Sequence, residues 1–550
     1  MTNQELAELM FPNVKMTIED YEKKYPERNL PEGAMVVRVA PSPTGNVHIG
    51  TIYQALLDKK LAEQTGGVFY VRIEDTDQKR EIEGGITQII ETLKKFDIEP
   101  DEGMITETES KGEYGPYRQS LRKDIYQAYA KYLLAQGKAY PSFESQEELE
   151  ILRQKQEAAK VRTGYYGVWA TSRNLSVEEA AEKIKSGVPY IVRFKSNGRE
   201  DKKIKHKDVI KGNVEFPEND QDIVIIKADG LPTYHFAHVI DDHLMGTTHV
   251  LRGDEWLSSV PLHLQLFYEL GFKAPKYAHT PTLLKNDNGG KRKISKRKDP
   301  EAAASYYAEK GIPSLSVKEY LMNIANSTFE NWRRANPEKP IDEFDFQLNK
   351  MGVGGALFDM VKLLDVSKNV ISRFSADKVY EEVLIWAKQY DEEFASILEK
   401  YKEYTTAVLN IEREQKKPRK DFACYSEIKK CIWYMFDEYF NTAKKEYEWQ
   451  EIKDINEIKE ILNDYVENYY NQDDDKNTWF EKMRSLAEKH GYAGSIKEYK
   501  ENPENYKGNI TDIATVIRVA MTTSSMTPDL YEILRLLGVD RIKERANILK

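Results

Sequence analysis

The stretch "RVAPSPTGNVHIGT", residues 38–51, sets two prolines and a glycine between an apolar run and a segment of helical period. The run before it, "MVVRVA" (35–40), has the β-branched character of a strand buried on both faces. Pro41 and Pro43 have no amide hydrogen to give a neighbouring strand, so the strand should end there. After Gly45, "VHIGTIYQALLDKKLAEQ" repeats apolar side chains at Ile52, Ala55, Leu56 and Leu61, which predicts a helix. "GGVFYVRIEDTD" then supplies a second strand that ends in carboxylates. Strand, tight loop, helix and strand make a βαβ crossover. Loops at the carboxyl ends of such strands are where doubly wound sheets bind ligands, and a helix N-terminus draws anions there.

With 550 residues the chain has length for roughly three or four domains. No apolar run is long enough to cross a membrane, and the first thirty residues lack the apolar stretch of a secretory signal. Cys424 and Cys431 are the only cysteines, too few for a disulfide framework or a four-cysteine zinc site. A reducing, cytoplasmic location fits this usage. The net charge of −10 argues against a protein that coats nucleic acid indiscriminately, while leaving room for local basic patches that grip one defined RNA.

Residues 1–34 read as a short helical arm whose end, "KKYPERNLPEG", is a linker. The βαβ start and the amphipathic segment "GGITQIIETLKKFDI" occupy 35–115. From 116 to 235 the pattern shifts to short helices and strands such as "YIVRF" and "DIVIIKADG", as an inserted domain would show. Between 236 and 300, "HVLRGDEWLSSVPLHLQLFYELG" reads as strand, loop and helix. "YAHTPTLLKNDNGGKRKISKRKDP" then runs from a strand into a Gly-rich, very basic loop. Beyond 300, strand signals nearly vanish and helical periodicity continues; the acidic "NQDDDKN" is a solvated loop.

A lone His at a helix start is ordinarily a cap, yet His48 follows a strand and a Pro-Gly loop and precedes a helix dipole. The loop "KRKISKRKD" gathers Lys291, Arg292, Lys293, Lys296, Arg297 and Lys298 around Ser295. It reads either as a solvated charge run or as cations brought to a polyphosphate in its transition state.

His48-Ile49-Gly50-Thr51 resembles the "HIGH" signature of class I aminoacyl-tRNA synthetases, and Lys293-Ile294-Ser295-Lys296-Arg297 resembles their "KMSKS" loop. "APSPTG", "RIEDTD", "GPYRQS", "DGLPTYHFAHVIDDHLMG" and "RGDEW" are similar to segments of the bacterial glutamyl-tRNA synthetases. So are "GGALFDMVKL" and "VIRVAMTTSSMTPDLYEILRLLGVDRI" near the C-terminus. The resemblance implies an α/β fold: a Rossmann-type catalytic domain in two halves (35–115 and 236–300), with an inserted α/β domain for the tRNA acceptor stem (116–235). A stem-contact helical region (301–360) and an all-α anticodon-binding domain (361–550) would follow. The implied reaction is ATP-dependent attachment of glutamate to tRNA(Glu) by a monomeric enzyme, with magnesium sharing the phosphate charge.

On that resemblance, Arg38 grips the glutamate side chain, Glu74 holds its ammonium, Ser42 forms a small hydrogen-bonding wall, and Ala40, Tyr234, His238 and Arg252 complete the amino-acid site. The position of His238 is Asn in some relatives and apolar in others. His48 would meet the ATP phosphates and ribose beside Gly50 and Thr51, while Glu255, Trp256 and Leu284 match nucleoside-binding positions. Lys293, Ser295 and Lys296 would face the phosphates, with the two lysines stabilising charge. Many relatives carry a zinc site soon after "GKAY"; here "GKAYPSFES" has no cysteine, so no structural zinc is expected. Arg419, in "QKKPRKDFACYSEIKK", resembles the Arg that reads an anticodon base in relatives restricted to tRNA(Glu). The alternatives are an enzyme that also charges tRNA(Gln) and a catalytically silent tRNA-binding copy.

Overall fold

The strand Val36–Val39 has all four residues buried, and the chain leaves it at Ala40 before Pro41 and Pro43. In this computed structural model, which describes residues 1–287 and 289–547, it pairs in parallel with Val68–Val71, in the register Val36↔Val68 to Val39↔Val71. Between them runs the helix Ile49–Thr65, capped at its start by His48 and closed by Gly66 at φ 66°, where a Cβ would be strained. Glu102–Met104 extends the sheet on one side. On the other, the Thr248 amide donates to Val36 O at 3.0 Å, which brings the strand His249–Gly253 and its parallel partner Lys276–Thr280 alongside. The loops after Val39 and after Gly253 therefore open at the same end, at the crevice where an open parallel sheet changes direction.

Contacts divide the chain into two compact units, Met1–Tyr306 with Lys318–Asp359, and Tyr307–Val317 with the residues from Met360 on. In the second unit no strand occurs among the described residues. Its helix Ala376–Tyr390 turns Val379, Tyr380, Val383 and Ala387 inward, the spacing of a single helical stripe, whereas Ile510–Thr522 begins with such a stripe at Ile513, Val516 and Ile517 and is buried all round at its end, from Val519 to Thr522.

The arm, read from sequence as a helix and a linker, forms two short helices, Asn3–Met10 and Ile18–Lys24, each started by a threonine capping box. It is docked along the first unit by polar anchors. Arg28 forks onto Glu102 (2.8 Å to each oxygen), donates to Met245 O (2.8 Å) and lies 3.8 Å over the Tyr114 ring. Glu22 meets the Tyr129 hydroxyl and His243, Lys131 reaches Glu8 and Val14 O, and the N-terminal ammonium pairs with Glu178.

The segment 116–235 contains an antiparallel sheet of Ala139–Ser142, Ile191–Phe194 and Val224–Ile226, with a separate hairpin Lys203–Asp208/Gly212–Pro217. Just past Tyr140, Glu144 accepts from the hydroxyls of Ser142, Tyr165, Thr171 and Ser172 and from the Ser172 amide. Burial alone would raise this carboxyl; the donors overcome it and hold it at about 2. A depressed carboxyl stabilises the fold above its unfolded value and stops doing so as the pH falls through about 2. Glu144→Gln should accordingly cost about 1–3 kcal/mol at neutral pH, read as a lower thermal midpoint, with the gap from the parent shrinking steadily in acid. A gap that is independent of pH would show that the carboxylate charge holds nothing there.

The basic stretch read as a loop is in part a β-hairpin: Leu283–Asp287 pairs with Gly290–Lys293, and Leu283 and Leu284 pair on their other edge with Ala356 and Leu357. Among the described residues no helix is long and apolar enough to cross a membrane, and no group of three or more His, Cys, Asp or Glu side chains could hold a metal ion.

Candidate active site

At the shared end of the strands lies a cavity of about 430 Å³. Its lining includes Arg38, Ala40, Ser42, His48, Gly50, Thr51, Glu74, Tyr234, Arg252, Glu255, Trp256 and Lys293, so twelve of the residues singled out in the sequence meet at one place. Four others lie around it: His238 is buried behind Arg38, Leu284 sits on the hairpin strand whose neighbour Leu283 lines the cavity, and Ser295 and Lys296 follow Ile294 in the basic turn. Arg419 belongs to the second unit.

Depth divides the chemistry. At the floor, Arg38 donates through Nε to Asp242 (3.2 Å) and approaches His238 Nδ1 (3.3 Å). Arg72 donates to the same aspartate at 2.6 Å and lies 3.5 Å from Glu74. Asp241, next along the helix Tyr234–Leu244, accepts from Arg122, Gln119 and the Tyr126 hydroxyl (2.7–2.8 Å). Burial would raise the Asp242 carboxyl, but Arg38 and Arg72 hold it well below the usual range. Glu74 has the opposite balance: burial outweighs both arginines and lifts it to about 7. Burial likewise keeps His238 neutral, down to about 3, so it adds no cation.

At the mouth, His48 Nδ1 accepts from the Gly50 amide at 2.9 Å, which fixes its tautomer. Burial first, then Lys296 and Lys293, lower its pKa despite a backbone hydrogen bond at Ile294. Gly50 is required here, since a Cβ would stand 2.9 Å from His48 Nδ1. At Gly253 a Cβ would stand 2.0 Å from Glu255 Oε2, so a side chain there would push the Glu255 carboxylate out of its present place. Lys293 Nζ pairs with Glu255 at 2.6 Å across the opening, and Lys296 Nζ donates to Asn46 O. Arg292 does not face the cavity; it forks onto Asp299 (2.6 and 2.8 Å), which also accepts from the Ser295 amide and so pins the turn. Half-exposed lysines on a braced turn are cations free to exchange partners when a phosphate arrives.

Several residues of this site escaped the sequence reading. Gln54 lies on the cavity face one turn beyond Gly50 and Thr51 and donates to Thr280, which also lines the cavity; the helical spacing was the available signal. Arg72, Asp241 and Asp242 lay within quoted motifs without a role. Pairing across 170 residues leaves no trace in local period.

In the second unit, a cavity of about 410 Å³ is lined by Arg419, Arg413, Asp421, Trp433 and Tyr434 among others. Arg419 donates to Asp421 (2.5 Å) and weakly to Glu412 (3.5 Å), and its side chain remains one-third exposed.

A parallel sheet with its ligand crevice between two crossover halves, histidine at the start of the first crossover helix and lysines on a braced turn opposite, is the architecture of a class I synthetase. The family model for class I tRNA synthetases (E and Q), catalytic domain, matches residues 34–360, and the chain belongs to that family. A glutamate–tRNA ligase of Clostridium perfringens (strain 13 / Type A) is 51% identical over 99% of this chain and 100% of its own. One from Acetivibrio thermocellus is 47% identical over the whole of both chains. Among solved structures, a glutamate tRNA ligase from Elizabethkingia meningosepticum in complex with its amino acid aligns with a TM-score of 0.74 at 26% identity, covering 94% of this chain and 99% of that one.

Proposed function

We propose that the protein joins glutamate to the 3′ end of tRNA(Glu) in two steps. In the first, a glutamate α-carboxylate oxygen attacks the α-phosphorus of ATP, giving glutamyl-adenylate and pyrophosphate. In the second, the terminal tRNA hydroxyl attacks the adenylate carbonyl, and AMP leaves. The observation that carries the reading is the set of charges at the cavity: the buried guanidinium groups of Arg38 and Arg252 beside the carboxyl of Glu74. Arg38 is paired with Asp242, whereas Arg252 touches only neutral acceptors. Glutamate meets both signs with its side-chain carboxylate and its ammonium; glutamine brings no side-chain charge to the guanidinium groups.

Arg38 and Arg252 would take the side-chain carboxylate, Glu74 the ammonium, and Ser42 and Tyr234 the remaining hydrogen bonds. Glu255, Trp256 and Leu284 would hold the nucleoside. His48, Lys293 and Lys296 would stabilise the charge that gathers on the phosphates as pyrophosphate departs, which is catalysis by position and electrostatics and needs no general base. Magnesium enters as the counter-ion of ATP and lowers the charge on its phosphates. Charging of purified tRNA(Glu) with labelled glutamate in the presence of ATP tests the proposal. Absence of charging together with absence of glutamate-dependent ATP–pyrophosphate exchange would leave only a silent tRNA-binding copy.

The raised carboxyl of Glu74 gives this reading a pH signature. A group lifted to about 7 loses its charge below that point, so kcat/KM for glutamate should fall toward tenfold per pH unit on the acid side. Glu74→Gln should be low and flat over the same range. A parent profile without an inflection near pH 7 would remove Glu74 from the ammonium site.

For tRNA choice, Arg419 in a cavity large enough for a base, with Phe422, Trp433 and Tyr434 also in its lining, supports a fork contact to a base edge. Arg419→Gln should then lower charging of tRNA(Glu) and narrow the preference over tRNA(Gln). The second reading, a phosphate contact, predicts an equal loss for both transcripts and a strong salt dependence.

A further inference from the structure

Arg252 differs from the other arginines of the cluster in what surrounds it. Among the described residues no carboxylate lies within ion-pair distance of this buried guanidinium. Nε donates to His279 Nε2 (3.0 Å), Nη1 to His263 Nδ1 (3.1 Å) and weakly to the Tyr234 hydroxyl (3.5 Å), and Nη2 to Trp256 O (3.2 Å). Its carbon lies 4.6 Å over the Tyr277 ring. All these partners are neutral acceptors. The long Tyr234 contact and the fifth N–H are what the guanidinium still has to offer a ligand, one on each terminal nitrogen.

The acceptors are themselves fixed. His279 Nδ1 lies 2.6 Å from Asp208 Oδ2, and Asp208 also accepts from the amides of His279, Ile210 and Lys211. An acceptor-only carboxylate on Nδ1 forces the proton there and leaves the Nε2 lone pair pointing at Arg252. For His263 the order runs the other way: donation from Arg252 to Nδ1 places the ring proton on Nε2, 2.9 Å from His235 Nδ1, which can accept it. Asp208 does not come from the catalytic sheet. It ends the first strand of the hairpin Lys203–Asp208/Gly212–Pro217, whose turn is sewn to the strand Lys276–Thr280 by Val209 N to Tyr277 O (2.9 Å) and to the cavity rim by Lys211 and Asp254 (3.1 Å).

We infer that Asp208 and His279 are positioning residues for Arg252: the hairpin aspartate fixes the histidine tautomer, and the histidine holds the guanidinium edge so that both terminal nitrogens address the substrate carboxylate. The inference rests on the proposed reading of Arg252 as a glutamate contact. It assigns the hairpin of the inserted segment a part in amino-acid recognition.

The test is steady-state charging with His279→Leu and His279→Gln. A glutamine amide can donate to Asp208 and accept from Arg252, whereas leucine can do neither. His279→Leu should raise KM for glutamate about tenfold or more and narrow the preference over glutamine, with KM for ATP within about threefold of the parent. His279→Gln should stay within about threefold of the parent in all three quantities. Equal KM for glutamate in the two variants would overturn the inference. Asp208→Asn, expected to raise the same KM, serves if the leucine variant fails to fold, and a parent-like KM there overturns the inference equally. Arg252→Lys separates the two layers: if it too leaves KM for glutamate unchanged, the reading of Arg252 itself is wrong. If Arg252→Lys raises that KM while His279→Leu does not, only the positioning role falls.

Discussion

Arg38→Gln should lower kcat/KM for glutamate by roughly a thousandfold, the counterpart of the ~4 kcal/mol at stake when one partner of a buried, hydrogen-bonded charge pair is removed. Arg38 is 4% exposed and donates to Asp242, so its cationic form is strongly held. The substitution removes the charge that the substrate side chain would meet. Asp242 keeps Arg72 at 2.6 Å and His238 at 3.0 Å, so the floor of the cavity should survive and the variant should fold. The loss should fall on glutamate more than on glutamine, whose neutral amide gains nothing from the extra cation. Single-substrate kinetics with both amino acids measure this directly. A variant with parent-like kcat/KM for glutamate would take Arg38 out of the pocket.

Lys296→Ala should slow adenylate formation in a single turnover by about a hundredfold while changing ATP affinity little. A cation that acts where charge develops is worth roughly 3 kcal/mol in the transition state and far less in the ground state. In the free protein Lys296 spends its hydrogen bond on Asn46 O, a neutral carbonyl that a phosphate can displace. Lys293, paired with Glu255, has to exchange a carboxylate for a phosphate and should show a smaller net effect. A fall of less than tenfold for Lys296→Ala would mean that the basic turn is solvated charge.

The sheet and its crevice could be read because the physics is local. Buried β-branched residues in Val36–Val39, two prolines that cannot pair, and a helical stripe after Gly45 each announce themselves within a few residues. The residues at the mouth could be read because motifs bring His48, Gly50 and the basic turn together. What stayed dark is long-range or depends on depth. Asp241 and Asp242 sit in the last turn of a helix, where the dipole disfavours acidic residues unless they face water, and only the fold shows that three arginines surround them. The lifted carboxyl of Glu74 is a property of burial, which a strand ending in carboxylates does not reveal. His279 and Asp208 are 71 residues apart. The hairpin that carries Asp208 was within reach: "KIKHKD" alternates with period two, and its burial alternates with it.

The docking of the first 28 residues sets an order of events in synthesis. Glu102, Tyr114, Tyr129, Lys131, Glu178, His243 and Met245 O, the anchors of the arm, all lie far downstream of it. A ribosome releases the arm first, when none of these partners exists, and the carbonyl that receives Arg28 emerges more than two hundred residues later. Until then the two capping boxes are the only structure the arm can hold by itself, and helices of eight and seven residues are marginal alone. Contacts of such sequence separation form late. The part of the first unit that is made earliest is therefore fastened last, and its docking reports that strands, inserted segment and helix Tyr234–Leu244 have already come together.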